Sequence, residues 1–264
     1  MLASLRQTRG PRWLALVDIV KNYSRGDAVR CMLVRVGADR SKGGGSWNAP
    51  VDSTSNEFAY VAIPETRAVR AGMKKPYNAL APVLSRFGVA LPRHLRAGHM
   101  HLDPDFDYLS YGDQGSRASQ LRSKLSRGDR IVFYSGMKDV RDSQRLIYAI
   151  IGIFVVDDIV LATSVPKSAR NANAHSRRIL AEGAQDIVVR GNQQLSGRLE
   201  RCLPFGEWRN RAYRVQPKLL KRWGGLSVKD GYLQRSARLP EFLDPARFLA
   251  WFESKRPRLI RANN

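Results

Sequence analysis

The chain has 264 residues, of which 43% are hydrophobic and 9% aromatic. This composition is typical of a globular protein with a substantial core, and it excludes a wholly disordered chain. The formal net charge is +22, from 45 Lys and Arg residues against 23 Asp and Glu residues. Such an excess favours a polyanionic partner, of which DNA and RNA are the commonest in a cell, although a solvated basic surface gives the same number.

Cysteine content and hydrophobicity exclude further classes. The two cysteines, Cys31 and Cys202, are too few for a disulfide framework or a four-thiolate zinc site. No run of residues approaches the roughly 20 apolar residues that cross a membrane. The segment "WLALVDIV" is shorter, contains Asp18 and lacks a small-residue cleavage site, so it does not fit a signal peptide. We expect a cytoplasmic protein with no membrane partner.

The domain boundaries follow from a change in pattern near Met32. Residues 1–31 contain one short apolar patch between Arg-bearing segments, whereas "MLVRVGADR" begins with the pattern of a buried strand. We expect Met32 to be the natural start and residues 1–31 to be an extension, either a translation artefact or a loosely attached leader. Residues 32–258 are predicted to form a single domain, and residues 259–264 a tail.

The predicted elements alternate irregularly. Strands are predicted at "MLVRVGA", "EFAYVAIPE", "RIVFYSGM", "LIYAIIGIFVVDDIVLA" and "DIVVR". Helices are predicted at "YNALAPVLSRFG", which ends at Gly88, at "SRASQLRSKLSRGD", from Ser116 to Gly128, and at "DPARFLAWFESK", where Asp244 caps the start. Since strands and helices do not alternate as in a doubly wound sheet, the pattern predicts an α+β fold with a mixed sheet and flanking helices.

Part of the predicted sheet resembles a known structural class. The stretch "GDRIVFYSGM…LIYAIIGIFVVDDIV" is similar to a recurring piece of PUA-like barrels, which include the EVE, ASCH and YTH domains. Five residues carry the resemblance: Gly128, Asp129, Phe133, Tyr134 and Gly152. It implies a strongly twisted or barrel-like sheet, in which a glycine lets the sheet coil.

A longer resemblance covers nearly the whole chain from Met32 to about Pro257. The segments "VRVGADRSKGGGSWNAPVD", "FAYVAIPE", "HLDPDFDYLSYGDQG", "GDRIVFYSGM", "LSGRLERCLPFGE", "WGGLSVKDGYLQRSAR" and "FLDPARFLAWF", in this order, resemble the third class of nucleotide modification associated domain. The resemblance implies a role beside systems that modify or restrict modified bases, and it implies no particular reaction.

The glycine-rich loop "DRSKGGGSWNAPVD" is a candidate nucleotide contact. Lys42 adds positive charge to a backbone that Gly44 lets approach a phosphate closely. Trp47 can stack on a base, and Asn48 can read its edge. The spacing is not that of a Walker loop, and a flexible turn is the alternative explanation.

The acidic segment "HMHLDPDFDYLSYGDQG" suggests metal chemistry first. His99, His101 and Asp103 superficially resemble the metallo-β-lactamase signature, but the closing histidine and the preceding apolar strand are missing. Asp103, Asp105 and Asp113 could instead hold Mg²⁺, which prefers oxygen ligands. Asp-Pro turns and side-chain capping explain the same acidic residues without any metal.

The same segment also has the composition of a base-binding loop. Tyr111, Gln114 and Arg117 mix an aromatic ring with hydrogen-bond donors and acceptors. We expect Trp47, Tyr111 and Tyr134 to line a cavity for an extruded base, whose flipping costs a few kcal/mol.

Further basic residues are candidate phosphate contacts. His175, Arg177, Arg178 and Arg198 could contact phosphate. For most of these arginines a solvated face is the favoured explanation, and Arg198 is the one that we expect to contact phosphate. Lys229 and Asp230 lie in a predicted turn, either as an ion pair or as part of the ligand site.

These features predict a protein that recognises or processes a modified base within nucleic acid, or a nucleotide. The alternative is a metal-dependent phosphodiesterase or nuclease centred on Asp103, Asp105 and Asp113, or a base-modifying transferase that uses the glycine-rich loop. The candidate catalytic residues are His101, Asp103, Asp105, Asp113, Lys229 and Asp230. Clustered ligands around a metal-sized gap favour catalysis, and an aromatic slot favours reading.

Overall fold

The computed structural model describes residues 29–41, 43–233 and 236–264. Most of the predicted extension at residues 1–31 lies outside the described residues, as does Lys42 of the glycine-rich loop. Within the described ranges, no helix has the length and apolar character needed to cross a membrane.

The described chain contains twelve strands and six α-helices. The strands are β1 (Cys31–Arg35), β2 (Pro50–Val51), β3 (Ile63–Pro64), β4 (Met100–His101), β5 (Ser110–Asp113), β6 (Arg130–Asp139), β7 (Leu146–Leu161), β8 (Ile187–Gly191), β9 (Gly197–Pro204), β10 (Gly206–Arg209), β11 (Ala212–Val215) and β12 (Leu259–Ile260). The α-helices are α1 (Ala81–Ser85), α2 (Arg93–Arg96), α3 (Gly115–Lys124), α4 (Ala174–Arg177), α5 (Pro217–Arg222) and α6 (Pro245–Ser254). Short 3-10 helices lie at Tyr77–Leu80, Ala162–Ser164, Lys167–Ala172 and Lys229–Gly231.

Eight strands form one mixed sheet, which confirms the predicted α+β class. Its central order is β1-β6-β7-β8-β5, with β2 on β6, β9 on β7 and β12 on β9. Strand β1 runs parallel to β6, whereas β6, β7, β8 and β5 are successively antiparallel. Over the described residues the strands do not close into a barrel, since β1 and β5 are the two ends of this order. The sheet therefore takes the open one of the two predicted forms.

The sheet has a hydrophobic core on each face. Strands β6 and β7 are apolar over most of their length, and alternate residues of a strand point to opposite faces. Phe133 packs with Phe154 and Phe106 in the first core, whereas its neighbours Val132 and Tyr134 lie in the second. A sheet buried on both faces explains why these strands read as continuous apolar runs.

Helix α6 covers the second core and begins where the sequence predicts. It begins at Pro245, and the carboxylate of Asp244 accepts a hydrogen bond of 3.0 Å from the backbone N–H of Arg247. Phe248 and Trp251 are buried from the helix into this core. The N-cap and the apolar stripe are both local signals, so this helix was predictable from sequence.

Two predicted elements are shorter in the structure. In "EFAYVAIPE" only β3 forms a ladder, with β4, although the preceding residues are buried. The segment "YNALAPVLSRFG" is divided into a 3-10 helix and α1, with Pro82 in the first turn of α1. Proline lacks the backbone N–H that a continuous helix would need at that position.

Gly152 of β7 is needed for close packing. The register of β7 against β9 shifts between Ile150 and Gly152. A Cβ at Gly152 would lie 2.5 Å from Cε1 of Phe106, whose ring packs directly over this position. The absence of a side chain at Gly152 therefore lets the ring of Phe106 pack directly on the middle of the sheet.

Candidate functional site

One cleft contains most of the candidate site residues of the acidic segment. It is a cavity of about 370 Å³ between β5, the end of β3, the glycine-rich loop and α4. Six residues predicted from the sequence line it: His101, Asp103, Tyr111, Asp113, Gln114 and Arg117. The volume is within the range of small-molecule sites, which is about 300–1,000 Å³.

Two histidines and an aspartate meet at the floor of this cleft. His101 ends β4, Asp103 follows it after one residue, and His175 lies on α4. Their side chains are only 4–7% exposed, and Oδ2 of Asp103 lies 3.9 Å from Nε2 of His101 and 3.5 Å from Nε2 of His175. One donor atom from each residue lies within 4.8 Å of the other two. We call these three residues the histidine cluster.

A carboxylate holds the far side of each imidazole. Nδ1 of His101 lies 2.7 Å from Oε2 of Glu65, and Nδ1 of His175 lies 2.6 Å from Oδ2 of Asp186. The guanidinium of Arg178 donates to both oxygens of Glu65 at 2.9–3.1 Å and approaches Asp186 at 3.9 Å. These contacts fix both rings so that their Nε2 atoms face Asp103.

Asp103 is oriented through its other oxygen. Its Oδ1 accepts hydrogen bonds from the backbone N–H of Gly112, at 2.7 Å, and from Nδ2 of Asn173, at 3.2 Å. Asn173 also caps α4 by accepting from the backbone N–H of His175 at 2.8 Å. At Gly112 a Cβ would overlap the ring of His175, so the close approach of β5 to α4 requires glycine there.

The two histidines have opposite pKa shifts. Burial lowers the pKa of His175, but its hydrogen bonds with Asp103 and Asp186 outweigh burial and raise the pKa to about 9. Burial also lowers the pKa of His101, and there the hydrogen bond with Glu65 does not compensate. The pKa of Glu65 falls to about 2, because its hydrogen bonds, that with His101 foremost, outweigh its burial. Two adjacent imidazoles of different basicity are typical of functional sites.

The wall of the cleft is cationic. Arg117 donates to the hydroxyl of Tyr111 at 2.7 Å and pairs with Asp113 at 2.8 Å, and the same hydroxyl donates to Asp113. Gln114 accepts a weak hydrogen bond from Arg178. Arg67 lines the cleft, is exposed and makes no direct ion pair with any described residue.

Of the three aromatic residues predicted to line a base cavity, Tyr111 lies in the cleft, whereas Trp47 and Tyr134 do not. Tyr134 is 1% exposed, in the second core against Phe205, and Trp47 packs against the first core. The side chain of Asn48 is buried and donates to the carbonyl of Gly136 at 2.7 Å. Gly44 faces Asp39, with no room for a Cβ, whereas its neighbour Gly43 lines the cleft.

The three aspartates predicted to share Mg²⁺ are not brought together. Asp103 belongs to the histidine cluster, and Asp113 pairs with Arg117. Asp105 is completely buried and pairs with Arg177. Since each carboxylate has its own partners, the structure does not assemble a three-aspartate site.

The remaining predicted residues also lie apart from the cleft. Arg198 donates to the carbonyl of Ala262 and covers the ring of Phe58. Lys229 and Asp230 lie in a 3-10 helix, where Asp230 pairs with Arg209 at 2.7 Å instead of with Lys229.

Sequence reasoning missed three of the buried residues of the site: Glu65, His175 and Arg178. His175 and Arg178 are in the run for which the sequence allows phosphate contacts and favours a solvated face for most of the arginines. The sequence contained one signal for His175. Asn173 lies two positions before it, and asparagine is a common N-cap, which indicates an ordered helical turn around one of the four histidines of the chain.

Comparison with known proteins is consistent with the resemblance found in the sequence. The family model "Nucleotide modification associated domain 3" matches residues 30–247, a range that includes the whole histidine cluster. No curated protein and no solved structure matches the chain. The match covers most of the chain, and the chain therefore belongs to the nucleotide modification associated domain 3 family.

Proposed function

We propose that this domain is an enzyme that acts on a nucleotide, either free or within DNA or RNA, with the histidine cluster as its reactive centre. One observation supports this most: three buried ligand-type side chains converge at the floor of a cleft that also has cationic walls. Burying such groups costs free energy, so their convergence is better explained by function than by stability. The family name supports a nucleotide substrate.

The aromatic residues of the cleft favour processing over simple reading. A base reader needs an exposed ring on which the base can stack. Tyr111 is the one Phe, Tyr or Trp residue among the described residues that line the cleft, and it is 3% exposed with its ring against Phe133. The cleft therefore offers guanidinium groups and imidazoles to a substrate, and little aromatic surface.

The charge and the size of the cleft support recognition of one nucleotide unit. Arg67 is exposed at the cleft, and no carboxylate in the described part of the chain lies within ion-pair distance of its guanidinium, so this group can bind a phosphate. Gln114 can hydrogen-bond a base edge. A cavity of about 370 Å³ is within the range of small-molecule sites. A base within a duplex would have to be flipped out of the stack to reach the cluster.

The proposal is tested by turnover assays on matched substrates. Oligonucleotides with plain and modified bases, single- and double-stranded, and the corresponding free nucleotides are incubated with the full chain and each of several divalent ions, at fixed salt. Products are identified by mass spectrometry. We expect turnover of at least one substrate, reduced more than about 100-fold in His101→Ala and His175→Gln, with substrate affinity changed much less.

The matched control is His94→Ala. His94 is exposed and its Nε2 contacts the carbonyl of Gly45, so its loss removes a histidine without touching the cluster. We expect wild-type turnover in this variant. If no substrate is converted, and base-specific binding is unchanged in both cluster variants, the domain is a reader and the proposal is wrong.

A further inference from the structure

We propose that the histidine cluster binds one divalent transition-metal ion through Nε2 of His101, Nε2 of His175 and Oδ2 of Asp103. The inference rests on the proposed function only in treating the cluster as the reactive centre. Metal binding itself is argued from the geometry and can be measured without any substrate.

The spacing of the three donor atoms suits a shared ion. Nitrogen and oxygen ligands bind such ions at about 2.0–2.2 Å, which places neighbouring donors about 3.0–3.5 Å apart. Oδ2 of Asp103 lies 3.5 and 3.9 Å from the two Nε2 atoms, and all three donors lie within 4.8 Å of one another. The two rings are inclined at 74°, so their Nε2 atoms approach the same point from different directions.

The hydrogen bonds on the far side of each ring set the tautomers that metal binding needs. Glu65 and Asp186 face the Nδ1 atoms of His101 and His175, and a carboxylate accepts a proton from the nitrogen that it faces. A ring whose proton is on Nδ1 has its lone pair on Nε2, directed towards Asp103. A metal ion at this point would take the place of the proton in the hydrogen bond between His175 and Asp103. Carboxylates behind metal-binding histidines are the usual outer layer of such sites.

The charge of the buried groups points to a divalent ion. Glu65, Asp103 and Asp186 are three carboxylates, and the guanidinium of Arg178 contacts Glu65 and approaches Asp186. When a metal ion takes the place of the imidazole proton on His175, two negative charges remain to be balanced in a site whose side chains are less than a tenth exposed. A divalent cation neutralises them, and uncompensated buried charge is costly.

The donor set selects the kind of metal and its task. Two imidazoles and one carboxylate suit Zn²⁺, Fe²⁺ or Mn²⁺, whereas Mg²⁺ prefers oxygen ligands throughout. Three protein ligands leave coordination positions open, and these face the cleft. The exchangeable ligand at those positions would be water or an oxygen of the nucleotide substrate.

Metal content measured on the full chain tests the inference. The protein is stripped with a chelator, dialysed against Zn²⁺, Mn²⁺, Mg²⁺ or, without oxygen, Fe²⁺, and analysed by mass spectrometry of the elements. We expect about one ion per chain for at least one of the three transition metals and none for Mg²⁺. Co²⁺ substitution should give visible absorption bands that shift when a nucleotide is added.

Variants establish where the ion is bound. His101→Ala, His175→Gln and Asp103→Asn should each lose at least about 90% of the bound metal, whereas His94→Ala and His99→Ala should keep it. Circular dichroism verifies folding, and the two polar replacements keep side-chain volume in the event that the alanine variant unfolds. No ion in the folded wild type, equal binding of Mg²⁺, or full binding in all cluster variants would overturn the inference.

The two proposals fail in different ways. Stoichiometric metal binding with no turnover of any nucleotide would contradict the proposed function and leave the metal site intact. Turnover by a folded wild-type protein that takes up none of the three transition metals would contradict the metal site and leave the proposed function intact.

Discussion

Arg178 determines the charge balance of the site at the scale of single residues. Its guanidinium contacts Glu65 in a buried bidentate pair and lies 3.9 Å from Asp186. No other described arginine or lysine makes an ion pair with these two carboxylates. Removing it would leave Glu65 without its guanidinium partner and Asp186 with His175 alone.

We therefore expect Arg178→Met to lower the free energy of unfolding of the metal-free protein by about 3 kcal/mol. The control is Arg190→Met, because Arg190 pairs with Asp158 while its side chain is 53% exposed. Exposed pairs contribute at most about 1 kcal/mol, so the control should change little. Urea denaturation of both variants in chelator provides the comparison, and equal losses would contradict the assigned role of Arg178.

A substitution at Gly112 should change the geometry of the histidine cluster. A Cβ there would lie 2.8 Å from Oδ1 of Asn173 and would overlap the ring of His175. We expect Gly112→Ala to displace His175, at a cost of about 1–3 kcal/mol for overpacking. The NMR signals of the His175 ring should shift strongly, and metal binding should be lost.

The control for this prediction is Gly88→Ala. Gly88 has φ +65° and nothing within 4 Å of the added Cβ, so the change strains the backbone by about 1–2 kcal/mol and leaves the cluster untouched. Unshifted histidine signals in Gly112→Ala would show that β5 moves instead of His175.

The histidine cluster shows how far single residues could be predicted. His101 and Asp103 are two positions apart, so the sequence itself indicated their proximity. His175 reaches them only because α4 packs against β5, and this long-range contact has no local signal. Tyr134 was predicted to line the site, but the alternation of side chains along β6 places its ring in the second core. Sequence period shows that a side chain is buried, but it does not show which face buries it.

At the scale of elements, α6 is the helix whose boundaries were predictable. Asp244→Ala removes the N-cap hydrogen bond and should lower the free energy of unfolding by about 1 kcal/mol. Asp244→Asn keeps an acceptor and should cost only a few tenths of a kcal/mol. Denaturant titration measures both, and equal losses would mean that the acidic charge matters more than the hydrogen bond.

The strands differ in whether the local sequence predicts them. The apolar runs of β6 and β7 predicted these two strands, since fully buried strands need no alternation. The prediction of one helix at "YNALAPVLSRFG" was wrong in detail. The segment is a 3-10 helix followed by α1, because Pro82 has no backbone N–H for a continuous α-helix. The short β3 and β4 pair only with each other, and their pairing depends on the folded neighbourhood that places Glu65 beside His101.

At the scale of the whole molecule, the net charge of +22 predicts salt-dependent binding to nucleic acid. Affinity for a nonspecific duplex should fall steeply between about 50 and 200 mM salt, with a log–log slope of about −0.9 for each phosphate contacted. If Arg67 contacts one phosphate, Arg67→Gln should reduce the slope by about 0.9.

Arg127→Gln is the charge-matched control, because Arg127 is paired with Asp157 on the surface. Fluorescence anisotropy at several salt concentrations measures the slopes. An equal change in both variants would mean that Arg67 acts only through the total charge of the chain.

The pair of Glu65 and Arg178 has a further consequence for folding. These residues are 113 positions apart in the chain, and Asn173 reaches Asp103 across 70 positions. Contacts between distant residues require closure of large loops and form late in folding. A chain that has folded only its first half therefore has no cluster. Any ligand that contacts both histidines would bind only the completely folded chain. The amount of bound ligand would therefore measure the fraction of fully folded protein in a mixture.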